Sequence, residues 1–260
     1  TTPLALAALR TTVGAPFLLG VALLRGERLP QSRQQWAAVW WISLSITTVS
    51  SGFLVLGISR LSPGLSAMLS ATMPLFTALI AVVVIAEFPG RRGYFGLLIG
   101  LFGAVFLAVP AFGSGNTTLG IIFLLISSVS WAAGAVLNKR LPGALQISPL
   151  MLVALQITFS AGCLHLAVPF FEDWSETSFT WGLAMPLLYA GIPSLAVTFY
   201  LFASVLRRAP AVQAAAVAYL TPFFGVIFSW LLIGDRLGVT EIFGGLLVIA
   251  GVAVLSTDRR

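Results

Sequence analysis

Long apolar windows separated by short polar stretches run the whole length of the chain, at 3–24, 36–58, 63–86, 93–110, 118–137, 148–170, 181–206, 210–233 and 239–256. Each is long enough to cross a hydrocarbon layer of about 30 Å as a helix, which satisfies its own backbone hydrogen bonds there. Runs such as Phe76 to Ile85 are continuously apolar and lack the strict alternation of a barrel strand. The pattern predicts an all-α integral membrane protein with nine transmembrane helices in this chain.

Composition sharpens that reading by exclusion. Of 260 residues, 58% are hydrophobic and 8% charged, where a soluble domain carries about 25% charged residues. So few polar groups cannot cover a water-facing surface, and the lipid bilayer is the partner this composition requires. A single cysteine, Cys163, excludes an internal disulfide framework and a four-thiolate metal site. The net charge of +6 reports cytoplasmic loops in such a protein, so nucleic acid is not an expected partner.

Basic residues crowd into alternate connections: Arg25, Arg28 and Arg33, then Arg91 and Arg92, Lys139 and Arg140, Arg207 and Arg208, and finally Arg259 and Arg260. The intervening loops hold Arg60 and Arg236 with the acidic cluster Glu172, Asp173 and Glu176. The positive-inside rule makes the first set cytoplasmic, with the carboxyl terminus inside and Thr1 outside.

The chain also repeats itself. At an offset of 148, Arg60 meets Arg208, Pro74 meets Pro222, Phe76 meets Phe224, Gly90 meets Gly238, Phe95 and Gly96 meet Phe243 and Gly244, and Gly103 meets Gly251. Glu87 meets Asp235 as a conservative pair. At an offset of 146, Pro3, Leu4, Ala8, Leu9 and Thr12 meet Pro149, Leu150, Ala154, Leu155 and Thr158. The matched helices would cross the membrane in opposite senses, which is the inverted-topology repeat of many secondary transporters. The halves fall at 1–112 and 113–260, with four and five spans. The helix at 118–137 has no counterpart in the first half, so a further span is expected upstream of Thr1, completing a ten-helix, five-plus-five fold with both ends inside.

Three stretches carry a resemblance to a known family. They are "PLALAALRTTVGA" with its arginine inside the first span, "MPLFTALIAVVVIAEFPGRRGYFGLLIGLFGAVFLA" with its copy "TPFFGVIFSWLLIGDRLGVTEIFGGLLVIAGVAVL", and "SSVSWAAGAVLNKRL", which looks like the opening helix of a repeat. Together they resemble the EamA-type permeases of the drug/metabolite transporter superfamily. The first copy lacks its opening helix, and the family's usual Glu at the end of a repeat's fourth helix is Asp235 in the second copy. The resemblance implies a small-molecule substrate, no cofactor, and a prokaryotic inner or plasma membrane. Similar permeases are associated with export of amino acids, other metabolites and toxic compounds, and related branches carry nucleotide sugars or sugar phosphates.

Candidate functional residues follow from helical spacing. Arg10 is the one basic residue well inside a span; a charge there is costly and often functional, and this one has the chemistry to hold a carboxylate or phosphate. On the second span Trp36, Trp40, Ser43, Thr47, Ser50 and Ser51 share a face at 3.6 residues per turn. On the third, Ser62, Ser66, Ser70, Met73 and Thr77 do the same, matched on the eighth by Ala214, Ala218, Thr221 and Gly225. Tyr189, Pro193 and Tyr200 share a face of the seventh. Hydroxyls and aromatics of this kind line a neutral cavity for amphipathic solutes, or else hold helices together by interhelical hydrogen bonds. Trp36 and Trp181 read as interfacial anchors.

Pro74, Pro193 and Pro222 are expected to kink their helices and act as flexible points. Gly96, Gly100 and Gly103, with Gly244, Gly245 and Gly251, read as close helix packing, with a homodimer contact as the other use of such a stripe. His165 and Cys163 have no second ligand at metal spacing, so no metal site is expected. Neither HExxH nor GxSxG occurs, which argues against an intramembrane enzyme, while a channel or structural subunit does not explain a two-fold inverted repeat. Transport of a neutral or zwitterionic metabolite, in the export direction, is the expectation. A nucleotide-sugar exchanger would need several cavity cations where only Arg10 is available.

Overall fold

The computed structural model describes residues 1–108, 115–177, 180–208, 227–228, 230–232, 234 and 238–257. Thr221, Pro222, Ala214, Ala218, Gly225 and Asp235 lie outside the described residues. The described chain is helical, without strands, and is built from α1 (Pro3–Leu24), α2 (Arg33–Ile42), α3 (Ser50–Ile58), α4 (Pro63–Ser70), α5 (Met73–Ile85), α6 (Arg91–Ala108), α7 (Gly115–Leu145), α8 (Pro149–Phe171), α9 (Trp181–Gly191), α10 (Thr198–Leu206) and α11 (Val239–Thr257). Six continuous helical stretches among the described residues are long and apolar enough to cross a membrane: Pro3–Leu24, Arg33–Ile58, Pro63–Ile85, Thr117–Leu141, Pro149–Phe171 and Trp181–Leu206. Helices α6 and α11 occupy two more of the expected windows, and most of the window at 210–233 lies outside the described residues.

Three starts use one device, a Ser or Thr followed by Pro, which presets the first helical φ and has no N–H to leave unbonded. Ser62 accepts from the Leu65 N–H at 3.3 Å and Ser148 from the Met151 N–H at 3.1 Å. Thr2 makes no such bond. At α1 the work falls to Glu172, just beyond α8, whose carboxylate accepts from the Leu4 N–H at 2.9 and 3.0 Å and from the Ala5 N–H at 3.2 Å. An anion at that end also opposes the helix dipole favourably. The end of α8 thus meets the start of α1, and the two helices pack antiparallel.

Expected spans two, three and seven are not plain α-helices. Between α2 and α3 the chain widens into a π turn at Ser43–Val49, and between α9 and α10 into another at Ile192–Val197. Pro193 gives one reason: without an N–H it cannot bond one turn back, and a wider turn accommodates its ring. The Thr198 hydroxyl donates to the Pro193 carbonyl at 3.0 Å, five residues back. The third span is interrupted at Ala71 and Thr72, where the Thr72 hydroxyl turns back to the Leu69 carbonyl at 2.7 Å. Pro74 then stands in the first turn of α5.

The chain divides into two compact units, Thr1–Val55 with Leu137–Ala209, and Leu56–Val136 with Pro210–Arg260. Each takes residues from both sequence halves, and in each the dominant packing joins repeat mates: α1 with α8 in the first, α6 with α11 in the second. In the second unit the mates meet on glycine. A Cβ on Gly96 would stand 2.5 Å from the Gly251 carbonyl oxygen, and one on Gly103 would stand 2.8 Å from that of Gly244. These pairs exchange under the offset of 148, since 96 maps to 244 and 103 to 251. Their order along the two helices is reversed, so the mates run antiparallel, as an inverted repeat requires. Gly100 is pressed against Leu75 in the same way, and Gly245 against Met68. The glycine stripe read from the sequence is therefore spent inside the chain and is not a free seam for a homodimer.

Candidate functional site

Helix bounds carry the repeat alignment into the first unit. Helices α1 and α8 start at Pro3 and Pro149, an offset of 146, while α2 and α9 start at Arg33 and Trp181 and α3 and α10 end at Ile58 and Leu206, an offset of 148. Arg10 then corresponds to Gln156, Gly14 to Ser160, Ser43 to Gly191 and Thr47 to Leu195. The two π turns occupy equivalent places. Each lies beside one of the long mates: Ser43–Val49 against α8, and Ile192–Val197 against α1.

On the α8 side two hydrogen bonds join the π turn to Gln156, whose Oε1 is buried without a partner among the described residues. The Ser43 hydroxyl donates to the Gln156 carbonyl at 2.7 Å, and the Gln156 amide donates to the Thr47 hydroxyl at 2.5 Å. Ser43, Thr47 and Gln156 are fully buried. Two predicted cavity residues, Ser43 and Thr47, thus grip a glutamine on the neighbouring helix. Trp36 and Trp40 from the same expected stripe are part-exposed and stand edge-on to Phe159, with ring centroids 6.0 and 5.6 Å away.

On the α1 side the same place is built from different residues. Gly191 has no side chain to donate, and a Cβ there would stand 2.7 Å from the Arg10 carbonyl oxygen. One turn on, a Cβ on Gly14 would stand 2.6 Å from the Gly191 carbonyl oxygen. Where the other side has the Thr47 hydroxyl, this side has buried Leu195. The Arg10 side chain is half-buried, and its Nε is sealed from solvent with no hydrogen-bond acceptor among the described residues. Tyr189 is 70% exposed on α9, and Tyr200 is half-buried on α10 with its carbonyl accepting from the Ser204 hydroxyl at 2.7 Å. Pro193 sits within the π turn itself.

The third-span candidates belong to the second unit. The Ser70 hydroxyl donates to the Ser66 carbonyl and that of Thr77 to the Met73 carbonyl, each at 2.8 Å along its own helix. Ser66 is buried, and its hydroxyl has no partner among the described residues. Thr221 and Pro222 lie outside the described residues. Sequence spacing passed over Gln156, Gly191 and Glu172. The repeat offset alone would have exposed the first, because it sets a lone glutamine opposite a lone arginine.

At the cytoplasmic end expected from charge, Arg207 donates from Nη2 to the Ile147 carbonyl just before α8. Burial pushes its guanidinium below the ordinary value, and Glu27 opposes that. His165 bonds to the Ala161 carbonyl at 2.9 Å and stacks on Trp174. No three of His, Cys, Asp and Glu converge among the described residues.

Comparison with known proteins places these features in context. A profile of the EamA-like transporter family matches residues 1–109 and 118–257. The uncharacterized inner membrane transporter YedA of Escherichia coli (strain K12) is 29% identical over 97% of this chain and 81% of its own length. The uncharacterized transporter YvbV of Bacillus subtilis (strain 168) is 24% identical over 99% of this chain and 84% of its own. A solved crystal structure at 19% identity aligns with a TM-score of 0.75 over 100% of this chain and 90% of that one, a likeness of fold.

Proposed function

Because the chain belongs to the EamA-like transporter family, we propose that it moves a small neutral or zwitterionic metabolite across a membrane, in the export direction, by alternating access between its two inverted repeats. The observation that carries this reading is the pair of π turns at equivalent places in two helices aligned by the sequence offset. Interrupted helices in matching positions of inverted halves are where such carriers place their substrate site and their flexible points. An inverted repeat supplies two conformations of similar energy, since each half can adopt the arrangement its mate holds. The substrate class rests on charge: Arg10 is the one cation well inside a described span, where it is half-buried, and the carboxylates Glu27, Glu87, Glu172, Asp173 and Glu176 stand at span ends or in connections.

No carboxylate is available at the middle of a described span to titrate in a proton cycle. The carrier is then a facilitator or exchanger. Full-length protein in liposomes should show counterflow of its solute without an imposed ion gradient. Uphill accumulation that depends on a proton gradient, without counterflow, would overturn this.

The halves at 1–112 and 113–260 are the two repeats, and the carboxyl terminus is cytoplasmic. With Cys163 replaced, a cysteine at exposed Ser175 should react with an impermeant thiol reagent from outside, and one at exposed Ser32 should not. The reverse pattern inverts the topology.

A further inference from the structure

Arg10 and Gln156 occupy equivalent points of helices aligned by the sequence offset, yet the π turns beside them differ at two equivalent places. Gln156 accepts from Ser43 at its main-chain carbonyl and donates from its side-chain amide to Thr47, while its Oε1 is buried with no partner among the described residues. At those two places the π turn beside α1 carries Gly191 and Leu195, and Arg10 Nε is buried without an acceptor among the described residues. The acceptor has been removed where the charge was added. A guanidinium taken from water without a counter-anion is strongly disfavoured. No described carboxylate neutralises Arg10, since the described acids stand in connections or near helix ends.

We propose that Arg10, beside the π turn Ile192–Val197, is the site that binds the carboxylate of a singly charged or zwitterionic substrate. The inference rests on the transporter reading and narrows its substrate class. The planar fork of the guanidinium matches a carboxylate with two parallel N–H···O bonds. One cation balances one negative charge, whereas a phosphate dianion would leave excess charge in a low-dielectric layer. The ligand oxygen takes the part that the Thr47 hydroxyl plays for Gln156.

The test uses the full chain in detergent and two readouts. The first is the rate at which phenylglyoxal modifies Arg10, followed by peptide mass spectrometry. The second is the thermal midpoint. The probes are the common amino acids, their carboxamides, and monocarboxylates from acetate to 3-phenylpropionate. At least one acid should slow modification of Arg10 by about tenfold and raise the midpoint, while its amide does neither. Arg10→Gln, which copies the residue of the mate, should bind acid and amide equally. Leu195→Thr, which restores the missing acceptor, should weaken protection by the acid and leaves Arg10 in place should the first variant fail to fold. If acids leave Arg10 unprotected, or if Arg10→Gln keeps its preference for the acid, the inference is wrong. Counterflow of neutral solutes with Arg10 unprotected would sink this inference and spare the transport reading. Protection of Arg10 by an acid with no counterflow of any solute would do the opposite.

Discussion

The two compact units treat the same internal symmetry differently. In the second, contacts between mates repeat almost atom for atom: Gly96 against Gly251 is answered by Gly103 against Gly244. In the first, the places that should repeat carry Arg10 against Gln156, Gly191 against Ser43 and Leu195 against Thr47. A contact that exists to let backbones approach works in either direction, so both copies can keep it. A substrate has no two-fold axis, and a site that recognises one gains from differing halves. On the proposal that Arg10 binds substrate, broken symmetry at these polar positions separates the part of the molecule that recognises from the part that holds.

The largest effect should come from the symmetric seam. A side chain at Gly251 would meet the Gly96 carbonyl at 2.5 Å, and backbone on both sides cannot step aside. Gly251→Val should destabilise by about 3 kcal/mol or more, read from the thermal midpoint in detergent. Gly20, around which a Cβ finds nothing within 4 Å, is the control, and Gly20→Ala should be close to neutral. Similar losses at both positions would mean that the seam is not where the second unit is held.

Next comes the closed side of the asymmetric pair. Gln156→Met removes the amide that meets Thr47 and leaves a buried hydroxyl without its partner. The expected loss is about 1–3 kcal/mol. Thr47→Val in the same chain should recover part of it, because the orphaned group is then gone. Strict additivity of the two changes would show that the bond contributes nothing to stability.

How much of this was legible beforehand follows from the distances involved. Spans, the repeat and the glycine seam are local or periodic, so composition and offsets reveal them. The π turns are not, because a widened turn keeps the same residues and changes only their angular spacing. The stripe drawn at 3.6 residues per turn through Trp36, Trp40, Ser43 and Thr47 accordingly divides into part-exposed tryptophans and buried hydroxyls. Glu172 is harder still: it caps the amide of Leu4, 168 residues earlier, and nothing near Thr2 indicates that the cap comes from elsewhere.

That cap ranks third. Glu172→Gln keeps the size of the side chain but removes the charge facing the first turn of α1, and about 1 kcal/mol should be lost. Faster amide exchange at Leu4 and Ala5, without change deeper in α1, is the accompanying signature. Unchanged exchange at both amides would show that α1 is held by its packing on α8 alone.

The smallest change in stability should come from the residue with the largest expected effect on recognition. Arg10 Nε is buried with no hydrogen-bond partner among the described residues, so Arg10→Met breaks no bond described there. It removes a charge from a low-dielectric setting and keeps a long unbranched stem, and replacing a buried ion by an apolar group of similar volume is often neutral or stabilising. The midpoint should therefore stay within about 0.5 kcal/mol of the parent or rise, in contrast to Gln156→Met at the equivalent place. If Arg10→Met instead costs as much as Gln156→Met, the guanidinium is part of the fold, the two sides of the first unit are alike in role, and the broken symmetry between them carries no functional meaning.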